Sequence, residues 1–268
     1  MDFRDKNVLM AKETLRILND GELIIPRIGI INITDDIDYS WDNTFYIDRT
    51  SKPILDEARD GIIEVVNATT IGALKEVDDK RVAILNFASA KHPGGGFKTG
   101  AMAQEESLAY SSSLYDSLTK YQEWFYDANL KDLNNGLYTD KMIMSQMVIF
   151  FRDEKFNLCK PYYADVLTSC AVNAGVASKK GITQSVIRNT MDNRIKNILN
   201  ELAMGDYEYI ILGAFGCGVF RNKPHMIAEI FKKYLIDNDM KDFFDKIIFA
   251  IPEGRDNNLN VFKEILNS

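Results

Sequence analysis

From about Asp5 to Asp20, Val8, Leu9, Ala11, Leu15 and Leu18 recur at largely helical spacing, and Gly21 follows as a residue suited to the position just past a helix end. The pattern predicts an opening amphipathic helix. Beyond it the apolar segments become short and β-branched: Ile28–Ile33, Ile62–Val66 and Val82–Phe87 are bounded by Gly, Asp and Asn, as buried strands are. A short helix is expected over Thr70–Val77 and a longer one over Gln104–Thr119. Met142–Phe151 and Tyr162–Thr168 read as further strands, Ile182–Met204 as a long helix and Tyr209–Leu212 as a short strand. Met226–Ile236 reads as a helix opened by Pro224, and Ile247–Ile251 with Leu259–Leu266 as a last strand and helix. The aromatic-rich stretch Tyr121–Tyr138 keeps to neither period and receives no assignment.

Strands alternating with helices over the C-terminal two thirds predict an α/β chain of three layers, a central mixed β-sheet flanked by helices. No repeat, low-complexity tract or linker interrupts the pattern. One globular unit over residues 61–268 is therefore expected, with residues 1–60 as an N-terminal helical extension packed on it.

Charge narrows the chemistry. With 32 Lys+Arg against 39 Asp+Glu the net charge is −7, which excludes a protein that grips nucleic acid by bulk attraction. A polyanion would have to be met by a local site. Cys159, Cys170 and Cys217 are odd in number and form no CxxC pair, which fits buried reduced thiols in a cytoplasmic protein. His92 and His225 are the only imidazoles and no HExxH arrangement occurs, so neither a metal nor another cofactor is expected. The charged N-terminal stretch lacks a signal peptide's apolar core, and no apolar run approaches the ~20 residues of a membrane span.

Three loops gather Gly, Asn and small residues, each after a predicted strand: Asn86 to Gly100, Ser169 to Gly175, and Gly213 to Asn222. In α/β sheets ligands bind at the carboxyl ends of strands, and glycine lets the backbone turn its N–H groups toward a phosphate. Glycine clusters also make ordinary turns, but three at strand ends point to a nucleotide diphosphate site. The Walker A pattern fails because Ala101 and Met102 follow Gly100, and GxGxxG fails because Arg221 stands at the third glycine position after Gly216 and Gly218.

Gly94-Gly95-Gly96 is followed, after seven residues, by Gln104-Glu105-Glu106. This GGG…QEE arrangement resembles the signature of poly(ADP-ribose) glycohydrolases, whose catalytic domain is a macrodomain. The flanking LNFASAKHPGGGF and AQEESLAYSSSLY, with Leu137–Ile143, Val172–Gly175, Gly213–Asn222 and Phe249–Ile251, is similar to the short bacterial type over residues 80 to 265. His92 and Phe215 stand where many relatives are expected to carry Asn and Trp.

The resemblance implies a macrodomain-like fold and hydrolysis of a ribose–ribose O-glycosidic bond at the end of poly(ADP-ribose), releasing ADP-ribose. It implies Glu106 as the carboxyl group that protonates the leaving oxygen and later helps activate water, with Glu105 holding ribose hydroxyls. Acidic residues are also favoured in any first helical turn by about 0.3–1 kcal/mol, so the pair alone is not diagnostic. Gly94, Gly95, Gly96 and Phe97 would wrap the diphosphate and distal ribose, with Gln104, Asn86 and Asn173 alongside. Gly216, Cys217, Gly218 and Val219 would close over the other side. Phe220 would pack at the adenine end, an ordinary core phenylalanine being the competing reading. Lys91, Arg221 and Arg255 are either phosphate contacts or solvated charges. Two other functions stay open: removal of single ADP-ribose units from protein or nucleic acid, and ADP-ribose binding without cleavage. The expected partners are the polymer or another ADP-ribosylated macromolecule and the product ADP-ribose, with no membrane and no bulk nucleic acid, and the chain is expected to be a monomer.

Overall fold

The computed structural model describes residues 2–77, 79–131, 135–254 and 256–267. The chain runs α1 (Phe3–Asp20), β1 (Glu22–Ile25), β2 (Gly29–Asn32), α2 (Thr34–Asp42), β3 (Thr44–Ile47), β4 (Ile62–Val66), α3 (Thr70–Lys75) and β5 (Val82–Phe87). It continues through α4 (Gln104–Ser111), α5 (Leu114–Thr119), a π-helical turn at Gln122–Asp127, α6 (Ala128–Lys131), β6 (Met142–Arg152) and β7 (Leu158–Ser169). Then follow α7 (Ala174–Lys179), α8 (Gln184–Met204), β8 (Tyr209–Leu212), α9 (Pro224–Lys232), β9 (Lys246–Ala250) and α10 (Asn258–Leu266).

Seven strands form one mixed sheet in the order β3-β6-β7-β5-β8-β9-β4. The β6 strand is antiparallel to both its neighbours, whereas β7, β5, β8, β9 and β4 run parallel. Alternation along each strand splits the core in two. Ala83, Leu85, Leu167, Ile210 and Phe249 pack against α8, α9 and α10, while Ile84, Val166, Ile211 and Ile248 pack against α3, α4 and α5. Each central strand is therefore largely apolar on both faces, and Val82–Leu85 reads as a continuous hydrophobic run that ends at the polar Asn86. The three-layer α/β architecture expected from the alternation is the one observed.

Differences from the sequence reading have local causes. The helix expected over Gln104–Thr119 breaks at Ser112, whose hydroxyl turns back to the Leu108 carbonyl at 2.7 Å while its backbone bridges Phe150. Ser113 N–H then donates to the Ile149 carbonyl, so the edge of β6 takes the hydrogen bonds the helix would have used. Within residues 1–60, β1, α2 and β3 were not anticipated. Strand β3 pairs with β6 and is an edge of the central sheet, so this segment supplies a strand to the sheet as well as a helix packed on it.

The α1 helix is capped at Asp2, whose carboxylate accepts from Phe3 N–H, and ends at Gly21 in the left-handed conformation. It lies along the loop before α4. Asn7 Nδ2 donates to the Gly100 carbonyl at 3.1 Å, Arg4 Nε to Thr99 at 2.7 Å and Thr14 Oγ1 to Tyr110 at 2.6 Å. A β-carbon on Gly100 (φ +81°) would stand 2.5 Å from the Arg4 carbonyl oxygen, so glycine is what lets helix and loop meet.

Candidate active site

Because β5, β7 and β8 are parallel, their carboxyl ends share one edge of the sheet, and the three glycine-bearing loops emerge there together. They surround a cavity of about 820 Å³, within the range of small-molecule sites.

One wall is built from Gly94–Gly96 and the start of α4. Gln104, the first residue of that helix, acts as a clamp: its Oε1 accepts from Phe87 N–H at 2.9 Å and its Nε2 donates to the Leu85 carbonyl at 2.8 Å. The amide thus takes the place of a neighbouring strand at the end of β5 and fixes where the helix begins. Successive helical residues point roughly 100° apart, so Glu105 and Glu106 diverge from that fixed origin.

Glu105 is 3% exposed. Its Oε2 accepts from Ser89 N–H at 2.7 Å and its Oε1 from Asn86 Nδ2 at 3.4 Å. Burial pushes its carboxyl up to about 8, with the charge of Glu106 adding to the rise and the bonds from Ser89, Asn86 and Gly94 opposing it. Behind it, Tyr126 is fully buried on the π-helical turn, and its phenol is held well above the ordinary value first by burial and then by the charge of Glu105. Among the described residues neither Tyr126 OH nor Asn86 Oδ1 has a hydrogen-bond partner.

Glu106 points into the cavity wall, where its Oε1 accepts from Gly96 N–H at 2.7 Å. A β-carbon on Gly95 (φ +59°) would lie 2.3 Å from that same oxygen and 3.0 Å from Glu105 Oε2. Both conformation and space therefore demand glycine there. Tyr110, on the next turn of α4, donates its hydroxyl to the carbonyls of Phe97 (3.0 Å) and Ala101 (2.8 Å), closing the loop on itself. Burial and the charge of Glu106 raise that phenol to about 12, so it stays a donor.

The opposite wall is the Gly213–Asn222 loop. Asn222 Nδ2 anchors its base by donating to the carbonyls of Val172 (2.7 Å) and Gly216 (3.0 Å). At the tip, a β-carbon on Gly218 would meet nothing within 4 Å, and Val219 is 79% exposed.

Of the residues singled out from sequence, Gly95, Gly96, Glu105, Glu106, Gly216, Gly218, Val219 and Phe220 line the cavity. Six are displaced from it. Gln104 is engaged with β5, and Asn86 is buried behind Glu105. Gly94 and Phe97 shape the loop from beneath, with Phe97 packed between Tyr110 and Tyr115. Asn173 caps α7 through Val176 N–H, and Cys217 is a buried thiol pushed up to about 12 by burial and then by Asp256. Lys91 and Arg221 are exposed and do not line the cavity, and Arg255 lies outside the described residues. Sequence reasoning missed Phe87, Ser89, Lys98 and Tyr115, which do line it; Lys98 Nζ stands 4.8 Å from the Tyr115 ring centroid. Ser89 and Lys98 lie within the first glycine-rich segment, so its neighbourhood carried the signal although its individual residues did not. A second cavity of about 350 Å³ adjoins the first across Phe87 and Ala214 and is bordered by Thr70, Gln104, Pro252 and Glu253. Among the described residues no group of three His, Cys, Asp or Glu side chains is placed to hold a metal ion.

A buried carboxylate pair at a helix start, set against backbone N–H groups of a glycine loop in a three-layer α/β fold, supplies the kind of acid groups that glycoside cleavage uses. The sequence model of the microbial-type PARG catalytic domain matches residues 11–153. Among solved structures the chain is similar to the poly(ADP-ribose) glycohydrolase of Thermomonospora curvata, with a TM-score of 0.88 and 31% identity over 97% of this chain and 99% of that one. The same values hold for that enzyme bound to the inhibitor ADP-HPD. It is also similar to the poly(ADP-ribose) glycohydrolase of Deinococcus radiodurans in complex with ADP-ribose, with a TM-score of 0.77 and 30% identity over 86% of this chain and 96% of that one. No curated protein sequence matches. The chain belongs to the microbial-type PARG family, and the likeness extends through the N-terminal segment, beyond the 80–265 stretch that carried the sequence resemblance.

Proposed function

We propose that this protein hydrolyses the ribose–ribose O-glycosidic bond at the terminus of poly(ADP-ribose) and releases ADP-ribose. The observation that carries the reading is the Glu106 carboxylate fixed by Gly96 N–H in the wall of a cavity of nucleotide size. Glu106 donates a proton to the departing ribose oxygen as the C–O bond lengthens toward an oxocarbenium-like state. It then takes a proton from the water that attacks the anomeric carbon. Glu105, anchored by Ser89 and Asn86, positions the distal ribose by hydrogen bonds. Backbone N–H groups of the two glycine loops receive the diphosphate. Phe220 offers its ring to the adenine end, and Asn86, Gly94, Phe97, Gln104, Asn173 and Cys217 act from behind the cavity lining.

Recognition of one terminal unit by backbone dipoles suits a chain of net charge −7. No helix among the described residues is long and apolar enough to cross a membrane, and the buried Cys170 and Cys217 thiols support a reducing cytoplasmic setting; we read the active species as a monomer.

Glu106→Gln tests the assignment. Polymer cleavage is expected to fall by about 100-fold or more, with ADP-ribose binding by calorimetry retained. Retained cleavage would remove Glu106 from the mechanism. Cleavage of mono-ADP-ribosylated protein or DNA by the unaltered chain, without cleavage of polymer, would move the substrate to single units.

A further inference from the structure

A second aromatic cluster stands outside the cavity. The Tyr46 ring of β3 lies 6.2 Å from Tyr121, just past α5, and 6.0 Å from Trp124 on the π-helical turn. Two ammonium groups accompany these rings: Lys141 Nζ is 5.3 Å from the Tyr46 centroid, and Lys120 Nζ is 5.9 Å from Tyr121. Lys120 Nζ is held by the carbonyls of Trp41 (2.7 Å), Asp42 (3.4 Å) and Thr44 (3.0 Å), which engage its three donors but, being neutral, leave its positive charge uncompensated, so it acts here through charge rather than by hydrogen bonds. Trp124 is 60% exposed. The same turn sends Tyr126 inward to Glu105 and Trp124 outward to solvent, so core packing accounts for one aromatic and not for the other.

The strand register places this cluster relative to the catalytic pair. Tyr46 is opposite Ile143 on β6, Ile143 is opposite Thr168 on β7, and Thr168 is opposite Asn86 on β5, whose amide reaches Glu105. Directly opposed residues share a face, so the four form one row on the α4 side of the sheet. At about 4.8 Å per strand, three steps put Tyr46 about 14 Å from Asn86. The α5 helix gives a second link: Tyr115 lines the cavity, and Lys120 and Tyr121 follow the same helix into the cluster.

We propose that the Tyr46–Tyr121–Trp124 surface, with Lys120 and Lys141, is a platform for ADP-ribose units beyond the one seated in the cavity, stacking their adenines and meeting their diphosphates. It rests on the polymer as substrate. Base-on-aromatic stacking tolerates any base, the cations complement a polyanion, and the platform sits at the same edge of the sheet as the cavity. A chain whose overall charge repels the polymer gains purchase on long substrates only through such a local surface.

The test compares Trp124→Ala, Trp124→Phe and Lys141→Gln with the unaltered chain, each on size-fractionated long polymer and on a two-unit oligomer. Binding of the same two ligands is measured in the Glu106→Gln background. Trp124→Ala is expected to raise KM and Kd for long polymer about 5- to 100-fold, with kcat and the two-unit values within about twofold. Trp124→Phe should recover most of the loss, and Lys141→Gln should flatten the salt dependence of long-polymer binding by about 0.7 in log–log slope. Equal KM and Kd for long polymer in Trp124→Ala and the unaltered chain would overturn the platform. Failure of the unaltered chain to cleave either substrate would instead overturn the proposed function, while the binding arm still decides the platform.

Discussion

The two glycine loops that face each other across the cavity are built on opposite principles. In the first, Gly95 has no room for a β-carbon, Gly96 N–H holds Glu106, and Tyr110 ties Phe97 to Ala101. In the second, only the base is fixed, by Asn222 and by the left-handed Gly216; the tip at Gly218 and Val219 is open. Glycine is a steric requirement beside Glu106 and again at the base of the second loop, where a β-carbon on Gly216 would lie 2.5 Å from Ala171, but at the Gly218 tip it leaves an unobstructed approach. The wall that carries Glu106 is set in advance, as electrostatic preorganisation requires, while the facing wall is anchored at its base and open at its tip.

Substitutions can break this contrast. Gly95→Ala carries the largest expected effect: the new methyl group displaces Glu106 Oε1 and the backbone is strained at positive φ. Polymer cleavage should drop at least about 100-fold and stability by about 1–3 kcal/mol, read by steady-state kinetics and chemical denaturation. Unchanged cleavage would mean that the first wall is as adaptable as the second.

Next comes a pH effect from Glu105. Its folded-state value near 8 lies above the ordinary 4.5, so the folded chain holds a proton that the unfolded chain has released between those limits. Stability from this group is full below about 4.5, declines as pH rises and is lost above about 8, with a slope of up to about 1.4 kcal/mol per pH unit. Glu105→Gln should flatten that part of the stability–pH curve, measured by denaturant titration from pH 5 to 8. A parallel curve would place the buried proton elsewhere.

Asn222→Ala should cost about 1–3 kcal/mol by leaving the Val172 and Gly216 carbonyls without their shared donor, and should raise KM more than it lowers kcat. Smallest of all, Gly218→Ala should leave stability within about 0.5 kcal/mol, since its β-carbon meets no atom within 4 Å. A thermal-shift loss as large as that of Gly95→Ala would show that the tip is as constrained as the first loop.

The central strands β5 and β8 were legible because burial on both faces writes an apolar run. Strand β3 was not, since Thr44–Ile47 is a four-residue edge strand with Phe45 turned to solvent and no longer pattern to announce it. In the site, the residues whose main chain or carboxylate faces the cavity were found from motif spacing. Gln104 and Asn86 were placed at the substrate by the family resemblance, and an amide offers a donor and an acceptor to a main chain as readily as to a ribose. Only the fold shows that Gln104 reads the main chain of β5 and that Asn86 reads Glu105. Tyr115 and Lys98 were missed for the reverse reason, as a helix aromatic and an exposed lysine carry no mark of the cavity they border.

The Gln104 clamp makes the distance between strand and carboxylates a counted quantity. Sliding α4 by a single residue against β5 would swing its side chains through about 100°, bringing Glu105 to the clamp and turning Glu106 away from its glycine. An insertion or deletion between Gln104 and Glu106 has nowhere to be absorbed, since Gln104 is bonded to β5 and Glu106 to Gly96. The three letters QEE thus behave as an indivisible gauge, whose order matters as much as its composition.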